Sequence, residues 1–217
     1  MFRLEKLFVI VLLAVLYSCA NTKDNQRLAF LGPKKIITDT INGKISRDTI
    51  YHKIADFSFV DQDSSIVTNK TFDGKIYIAD FFFTTCPTIC PKMNAQLVRV
   101  YDKFKDNPNI RILSHTIDPV HDTVAVLKHF ADRLGVSSKT WHFVTGDQDD
   151  IYEIGQNSYM VTAMEDKTSP GGFLHNGALI LVDPERRVRG VYDGTREDDV
   201  NRLMNDIPKL MAEYGMH

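Results

Sequence analysis

The chain has 217 residues, 43% of them hydrophobic and 25% charged, with a formal net charge of −2 at pH 7. That length suits one domain with extensions better than two domains. The balance is that of an ordinary globular protein, it leaves no electrostatic footprint for nucleic acid, and the chain has no Gly-rich phosphate loop and no repeat.

The chain opens with MFRLEKLFVIVLLAVLYSCA, in which Arg3 and Lys6 precede an apolar run from Leu7 to Leu16. A basic start followed by roughly 7–15 apolar residues is the pattern of an export signal. The run is short for a spanning helix, which needs about 20 residues. Leu16-Tyr17-Ser18-Cys19 resembles a bacterial lipobox. Residues 1–18 are therefore expected to be a lipoprotein signal peptide, and Cys19 the acylated first residue of the mature chain. An uncleaved anchor with an incidental Cys19 is the alternative. Both readings hold the domain on a membrane, facing the periplasm of a bacterial envelope.

Residues 19–55 read as a tether and an arm. A polar stretch to Gly32 is followed by β-rich runs on either side of Asn42-Gly43, a favourable hairpin turn. The α/β pattern starts near residue 56. DFSFVDQ alternates as a short strand, and Gly74 to Phe83 is an apolar, aromatic run expected to be a strand buried on both faces. From Pro91 to Phe104, Met93, Leu97, Val100, Tyr101 and Phe104 fall on one helical stripe. NIRILSHTI is the next strand, and Thr123 to Leu134 a helix stopped by Gly135. TWHFVTG is a strand and Asp147 to Ile154 a short helix. Asn157 to Leu174 is an irregular loop. A hairpin turning at Asp183-Pro184 and an amphipathic helix from about Glu197 to Tyr214 close the chain. Strands alternating with helices imply an α/β sheet with crossover connections. A cysteine motif leaving a buried strand and opening a helix points to a thioredoxin-like fold over residues 56–217, with a central mixed sheet flanked by helices.

The motif is ADFFFTTCPTICPKM, in which Cys86 and Cys90 are each followed by a proline. With Cys19 lipidated, these two remain in a compartment that permits disulfides. As a staple they would close a very short loop, which gives little entropic stabilisation. Unpaired N–H groups and the helix dipole favour a thiolate at a helix start. A thiolate serves both as nucleophile and as soft ligand for Cu(I) or zinc, so position alone does not choose between redox and metal chemistry. A metal would call for a third ligand, and imidazole is the usual one. His52 lies in the arm, His129 mid-helix, His142 in a strand and His217 at the terminus. His115 and His121 stand near the strand rim that carries the cysteines. His175 closes the long irregular segment and is the leading candidate. Met93 belongs to the helix stripe, whereas Met160 and Met164 fall in the long loop, where thioethers can reach a soft metal.

Taken together these blocks resemble the SCO/SenC family of thioredoxin-fold copper proteins that serve cytochrome c oxidase assembly. FTTCPTICP matches the family's Cys-Pro-x-x-Cys-Pro motif after an aromatic-rich strand, and DPVHDT at Asp118 to Thr123 matches Asp-Pro-x-x-Asp-Thr. WHFVTGDQDDI and His175 ahead of LVDP complete four ordered blocks within residues 54–213. The resemblance implies a copper site, Cu(I) or Cu(II), made of Cys86, Cys90 and His175. It implies delivery of that copper to the binuclear copper centre of a respiratory oxidase. The partners are then the oxidase's copper-binding subunit or another copper chaperone, and the chain is expected to act as a monomer and a carrier rather than a turnover enzyme. Leu174 replaces the Asp that commonly precedes the family histidine, and Phe82 stands where many members have Gly. Either change would tilt the chain toward thiol chemistry. In that alternative it is a thiol-disulfide reductase, with Cys86 attacking and Cys90 resolving. A peroxidase on the same fold ranks last. Asp118 and Asp122 read equally well as a turn and a helix N-cap.

Overall fold

The computed structural model describes residues 27–41, 44–166 and 168–216. The signal segment, Cys19, the Asn42-Gly43 turn and His217 lie outside the described residues. The arm is a hairpin, β1 (Lys34–Ile41) against β2 (Lys44–Tyr51), in register from Lys34↔Tyr51 inward. It pairs with no strand of the main sheet.

The body is built on a seven-stranded sheet. Its strands are β3 (Ser58–Asp61), β4 (Ile66–Thr68), β5 (Ile76–Phe82), β6 (Ile110–Thr116), β7 (Trp141–Thr145), β10 (Ala178–Val182) and β11 (Val188–Asp193), in the spatial order β11-β10-β5-β6-β7-β3-β4. β5, β6 and β7 are parallel, and the outer pairs are antiparallel. Every residue of β5 is buried, as a central strand covered on both faces requires. The two parallel crossovers are α1 (Cys90–Phe104) and α2 (Val124–Leu134). Both lie on the same face, as right-handed crossovers running in one direction must. On that face Phe82 meets Phe130 of α2, and Trp141 meets Tyr101 of α1. The closing helix α4 (Glu197–Glu213) packs beside α1, where Arg99 donates to Asn201 at 2.7 Å. Gly135 ends α2 with φ +70, the left-handed C-cap that glycine adopts without strain.

Part of the segment expected to be irregular is structured. After α3 (Gln148–Glu153) the chain makes one π-helical turn, Ile154–Ser158, and then a small separate ribbon, β8 (Ala163–Glu165) with β9 (Phe173–His175). His175 is thus a strand residue and not part of a loop. Strands this short, split by a turn rich in Gly, Ser and Pro, give too little periodicity to be recognised. The π turn sits under the second face of the sheet, where Tyr159 meets Phe81 edge-on and shares a hydroxyl contact of 3.1 Å with Tyr77.

The tether is also engaged. Leu31 donates to Val188 O at 2.9 Å, and Arg189 donates to the carbonyls of Leu28 and Ala29. Phe30 lies under both guanidinium groups, 4.6 Å from Arg187 and 4.3 Å from Arg189. Among the described residues no helix is long and apolar enough to cross a membrane.

Candidate metal and thiol centre

β5 delivers the chain to Phe83, and a turn from Thr84 to Ile89 carries it into α1, whose first residue is Cys90. The N-cap, Ile89, makes no side-chain cap bond, and Pro91 sits within the first turn. No side chain caps the helix-start N–H groups, which leaves them to a neighbouring anion. Cys86 uses them. Burial of this thiol, 7% exposed, would raise its pKa. Hydrogen bonds from the backbone N–H groups of Cys90 and Thr88, and from the Cys90 thiol and Thr88 hydroxyl, outweigh burial and hold it below the ordinary thiol value. Cys90, 2% exposed, is pushed well up. Burial is the main cause, opposed by a hydrogen bond at the Phe83 backbone and reinforced by Cys86 and the charge of Asp80. The pair is thus a thiol of lowered pKa beside a more deeply buried thiol of raised pKa.

The loop is held from below by Asp122. Its carboxylate accepts from Thr84 N–H at 3.0 Å, from the Thr84 hydroxyl, and from the Thr116 hydroxyl at 2.6 Å. Asp122 is fully buried, and the N-cap of α2 is the next residue, Thr123, which accepts from Val126 N–H. The helix-cap reading of Asp122 is therefore replaced by a strut between the cysteine loop and β6. Asp118 is the turn residue expected, accepting from His121 N–H at 3.3 Å.

The β8–β9 ribbon leans on this loop. Phe173 packs against Phe83 with ring centroids 5.1 Å apart, and Phe173 and Leu174 share a small cavity of about 120 Å³ with Cys86, Thr88 and Ile89. A Cβ at Gly171, where φ is +85, would stand 2.8 Å from the Phe83 ring, so only glycine admits this approach. Gly177 likewise sits against Ile89 and Met93. Residues on both sides of His175 therefore touch the cysteine loop or α1, and its backbone enters the same neighbourhood. The His175 side chain lies outside the described residues. Among the described residues no three His, Cys, Asp or Glu side chains converge as a metal-binding group.

The other histidines are accounted for elsewhere. His115 does not approach the cysteines. It points to the opposite face, fully buried against Phe81 (4.8 Å, stacked), Phe57, Phe59 and Tyr159, and burial lowers its pKa to about 3. Its strand position hid this, because side chains of one strand alternate between faces. His121 and His129 are exposed. His142 Nδ1 lies 3.0 Å from Asp61 Oδ2, and His52 Nε2 2.8 Å from Ser158 O. Met93 is core, 1% exposed. Met160 is exposed and contacts Gly32, and Met164 is exposed beside Leu174 on the ribbon.

Sequence reasoning passed over Asp80. It is 1% exposed on β5, accepts from the Ser114 hydroxyl, has no partner for Oδ2 among the described residues, and burial raises its pKa to about 7. An acidic residue inside an otherwise apolar strand was the available signal.

A parallel strand feeding a cysteine-bearing helix start, with an antiparallel hairpin and a closing helix beyond it, defines a thioredoxin-like cysteine-pair protein. The family model SCO1/SenC matches residues 45–212, and the chain belongs to that family. It is 30% identical over 167 residues to the SCO1 protein homolog of Bacillus subtilis, covering 76% of this chain and 86% of that one. It spans 47% of the length of the mitochondrial SCO1 homolog 1 of Arabidopsis thaliana, at 28% identity over 73% of this chain. Among solved structures it resembles a SCO1/SenC family lipoprotein from Bacillus anthracis, with TM-score 0.68, 25% identity, and 73% and 95% of the two chains covered. It also resembles Arabidopsis thaliana ScoI with copper bound, with TM-score 0.61, 27% identity, and 74% and 98% covered.

Proposed function

We propose that this chain is a membrane-tethered copper carrier of the exported compartment, which binds copper through Cys86, Cys90 and His175 and passes it to the copper centre of a respiratory cytochrome c oxidase. The observation that carries the reading is the pairing of two unlike thiols at a helix start with a ribbon whose Phe173 and Leu174, the residues just before His175, line a cavity with Cys86. Cys86, held below the ordinary thiol value, is the more readily ionised of the two. Cys90 is a thiol until a cation displaces its proton, so metal uptake releases protons. Two thiolates and an imidazole suit copper, and the copper-bound relative supports the cargo. The export signal and Cys19 supply the tether, as a lipoprotein relative does. The test is anaerobic copper binding to the reduced soluble chain beginning after Cys19, beside His175→Ala. A tight one-to-one complex that is lost or much weakened in the variant is expected. Equal binding by both removes His175 from the ligand set.

A second reading, a thiol-disulfide reductase of an exported target, is favoured by the same thiol asymmetry, since a low-pKa attacker above a buried resolver is the division of labour such chemistry needs. It predicts that His175→Ala keeps reductase activity and that the Cys86–Cys90 couple has a defined reduction potential.

A further inference from the structure

The cysteine loop borders a second cavity, of about 260 Å³, on the side away from the ribbon. It is lined by Cys86, Cys90, Asn94, Phe130 and Arg133, among others. Two of these residues have unused capacity for an anion. Of the eight arginines in the α/β body, Arg99, Arg186, Arg187, Arg189, Arg196 and Arg202 are ion-paired. Arg111 donates to backbone carbonyls. Arg133 alone makes no hydrogen bond or ion pair among the described residues, and its guanidinium is steadied over the Phe130 ring at 4.9 Å. Asn94 is only 8% exposed, and its side-chain amide likewise has no partner among the described residues although it lines the cavity. Its amide opens on the cavity, where it can donate to a bound anion.

We propose that Arg133 and Asn94 form a carboxylate-binding subsite of the cysteine centre, which receives an acidic side chain next to the cysteine of the exported protein that Cys86 engages. The proposal rests on the thiol and copper chemistry proposed above. A guanidinium presents the fork that matches a carboxylate, and the amide adds a further donor. The occupant is a protein segment rather than a compact thiol because Cys86 lies between two unlike cavities. One carries Arg133, and the other is the apolar notch of Phe83, Ile89, Pro170, Phe173 and Leu174. A ligand that fills both has a carboxylate on one side of its sulfur and an apolar side chain on the other, as an extended peptide does.

The experiment uses the full-length chain, reduced, in detergent. The probes are two peptides with an apolar residue before a cysteine and either Glu or Gln after it, each cysteine carried as a mixed disulfide with 2-thiopyridine. The Cys86 thiolate attacks the peptide sulfur and expels thiopyridine, which takes a proton from water, leaving a Cys86–peptide disulfide. Cys90 then loses its proton to water and displaces the peptide thiolate, which is protonated. The cysteine pair is oxidised by two electrons and the mixed disulfide is reduced by two. The Glu peptide is expected to react roughly tenfold faster than the Gln peptide at low salt, with the gap narrowing as salt rises. In Arg133→Gln the two peptides should converge, and Arg133→Lys should keep only part of the preference. The same peptides with Ser for Cys, titrated by calorimetry, read the preference without thiol exchange. Equal rates and affinities for Glu and Gln peptides on the unmodified chain overturn the subsite while leaving the function above intact. So does an equal advantage for the pyridyl disulfide of 3-mercaptopropionate. Absence of both thiol exchange and copper binding, with the Ser-peptide preference present, would instead strike the proposed function and leave the subsite standing.

Discussion

Asp122 grips Thr84 twice, accepting from its backbone N–H at 3.0 Å and from its hydroxyl, and so fixes the turn two residues before Cys86 to the end of β6. The carboxylate is fully buried, and its remaining capacity goes to Thr116 at 2.6 Å. Removing it strands three donors. Asp122→Ala is expected to cost about 3 kcal/mol of stability, and to loosen the cysteine loop. Urea denaturation gives the first quantity. A changed alkylation rate at Cys86 in the folded variant, compared with an unchanged one, tells whether the strut also sets the loop.

The two thiols should titrate apart. Cys86 is held below, and Cys90 raised above, the ordinary value of 9.0. Iodoacetamide should therefore modify Cys86 first, with a rate profile whose midpoint lies below pH 9. Thr88→Val removes one donor to Cys86 and should move that midpoint upward. Peptide mapping of the alkylated chain checks the order, and preferential labelling of Cys90 would contradict it.

Asp80 and His115 bound the pH range of stability from opposite sides. Burial raises the Asp80 pKa from 3.8 to about 7. Its contribution is fully present below about 3.8 and is lost as pH rises through 7, because the unfolded chain ionises more easily. The difference amounts to about 4 kcal/mol at most. Asp80→Asn should then leave stability little changed near pH 4 and raise it above pH 7. His115 is buried neutral, with its pKa lowered from 6.5 to about 3. Its contribution is present above 6.5 and is lost as pH falls toward 3. His115→Phe should flatten the acid limb. Melting temperatures across the pH range, measured on both variants, separate the two effects.

The tether has a specific dock. Arg189 is 1% exposed at its side chain and bonds Asp183 at 3.2 Å and Glu213 at 2.6 Å while holding the Leu28 and Ala29 carbonyls. Arg189→Met removes one partner of a buried network and should cost about 3–5 kcal/mol. It should also release the strap. Limited proteolysis before Pro33 would then outpace that of the parent chain, and equal rates would show that Phe30 packing alone holds it.

The sheet was legible because its signals are strong. β5 is an apolar run with aromatic and β-branched residues, and α1, α2 and α4 carry clear helical stripes with a glycine stop after α2. The arm's two β-rich runs left a hairpin or an extended segment open, and the β1–β2 pairing decides for the hairpin. β4, at three residues, and the β8–β9 ribbon escaped, because segments that short have no period to detect. Whether Asp122 capped a helix or had another role stayed open in the sequence because caps and struts use the same residue type, and the position of Thr123 beside it resolves the two.

By itself the sequence determined the order of strands and helices, the helix-start position of the cysteine pair and the four motif blocks, since these are written in local periodicity and spacing. Tertiary structure alone decided the rest. It sent His115 to the far face, set Cys86 and Cys90 in unlike environments, brought the Gly171 ribbon onto Phe83 and placed Arg133 on a cavity that both cysteines line. Burial, the face a side chain takes and the partners it finds depend on residues distant in sequence, and local periodicity does not encode them.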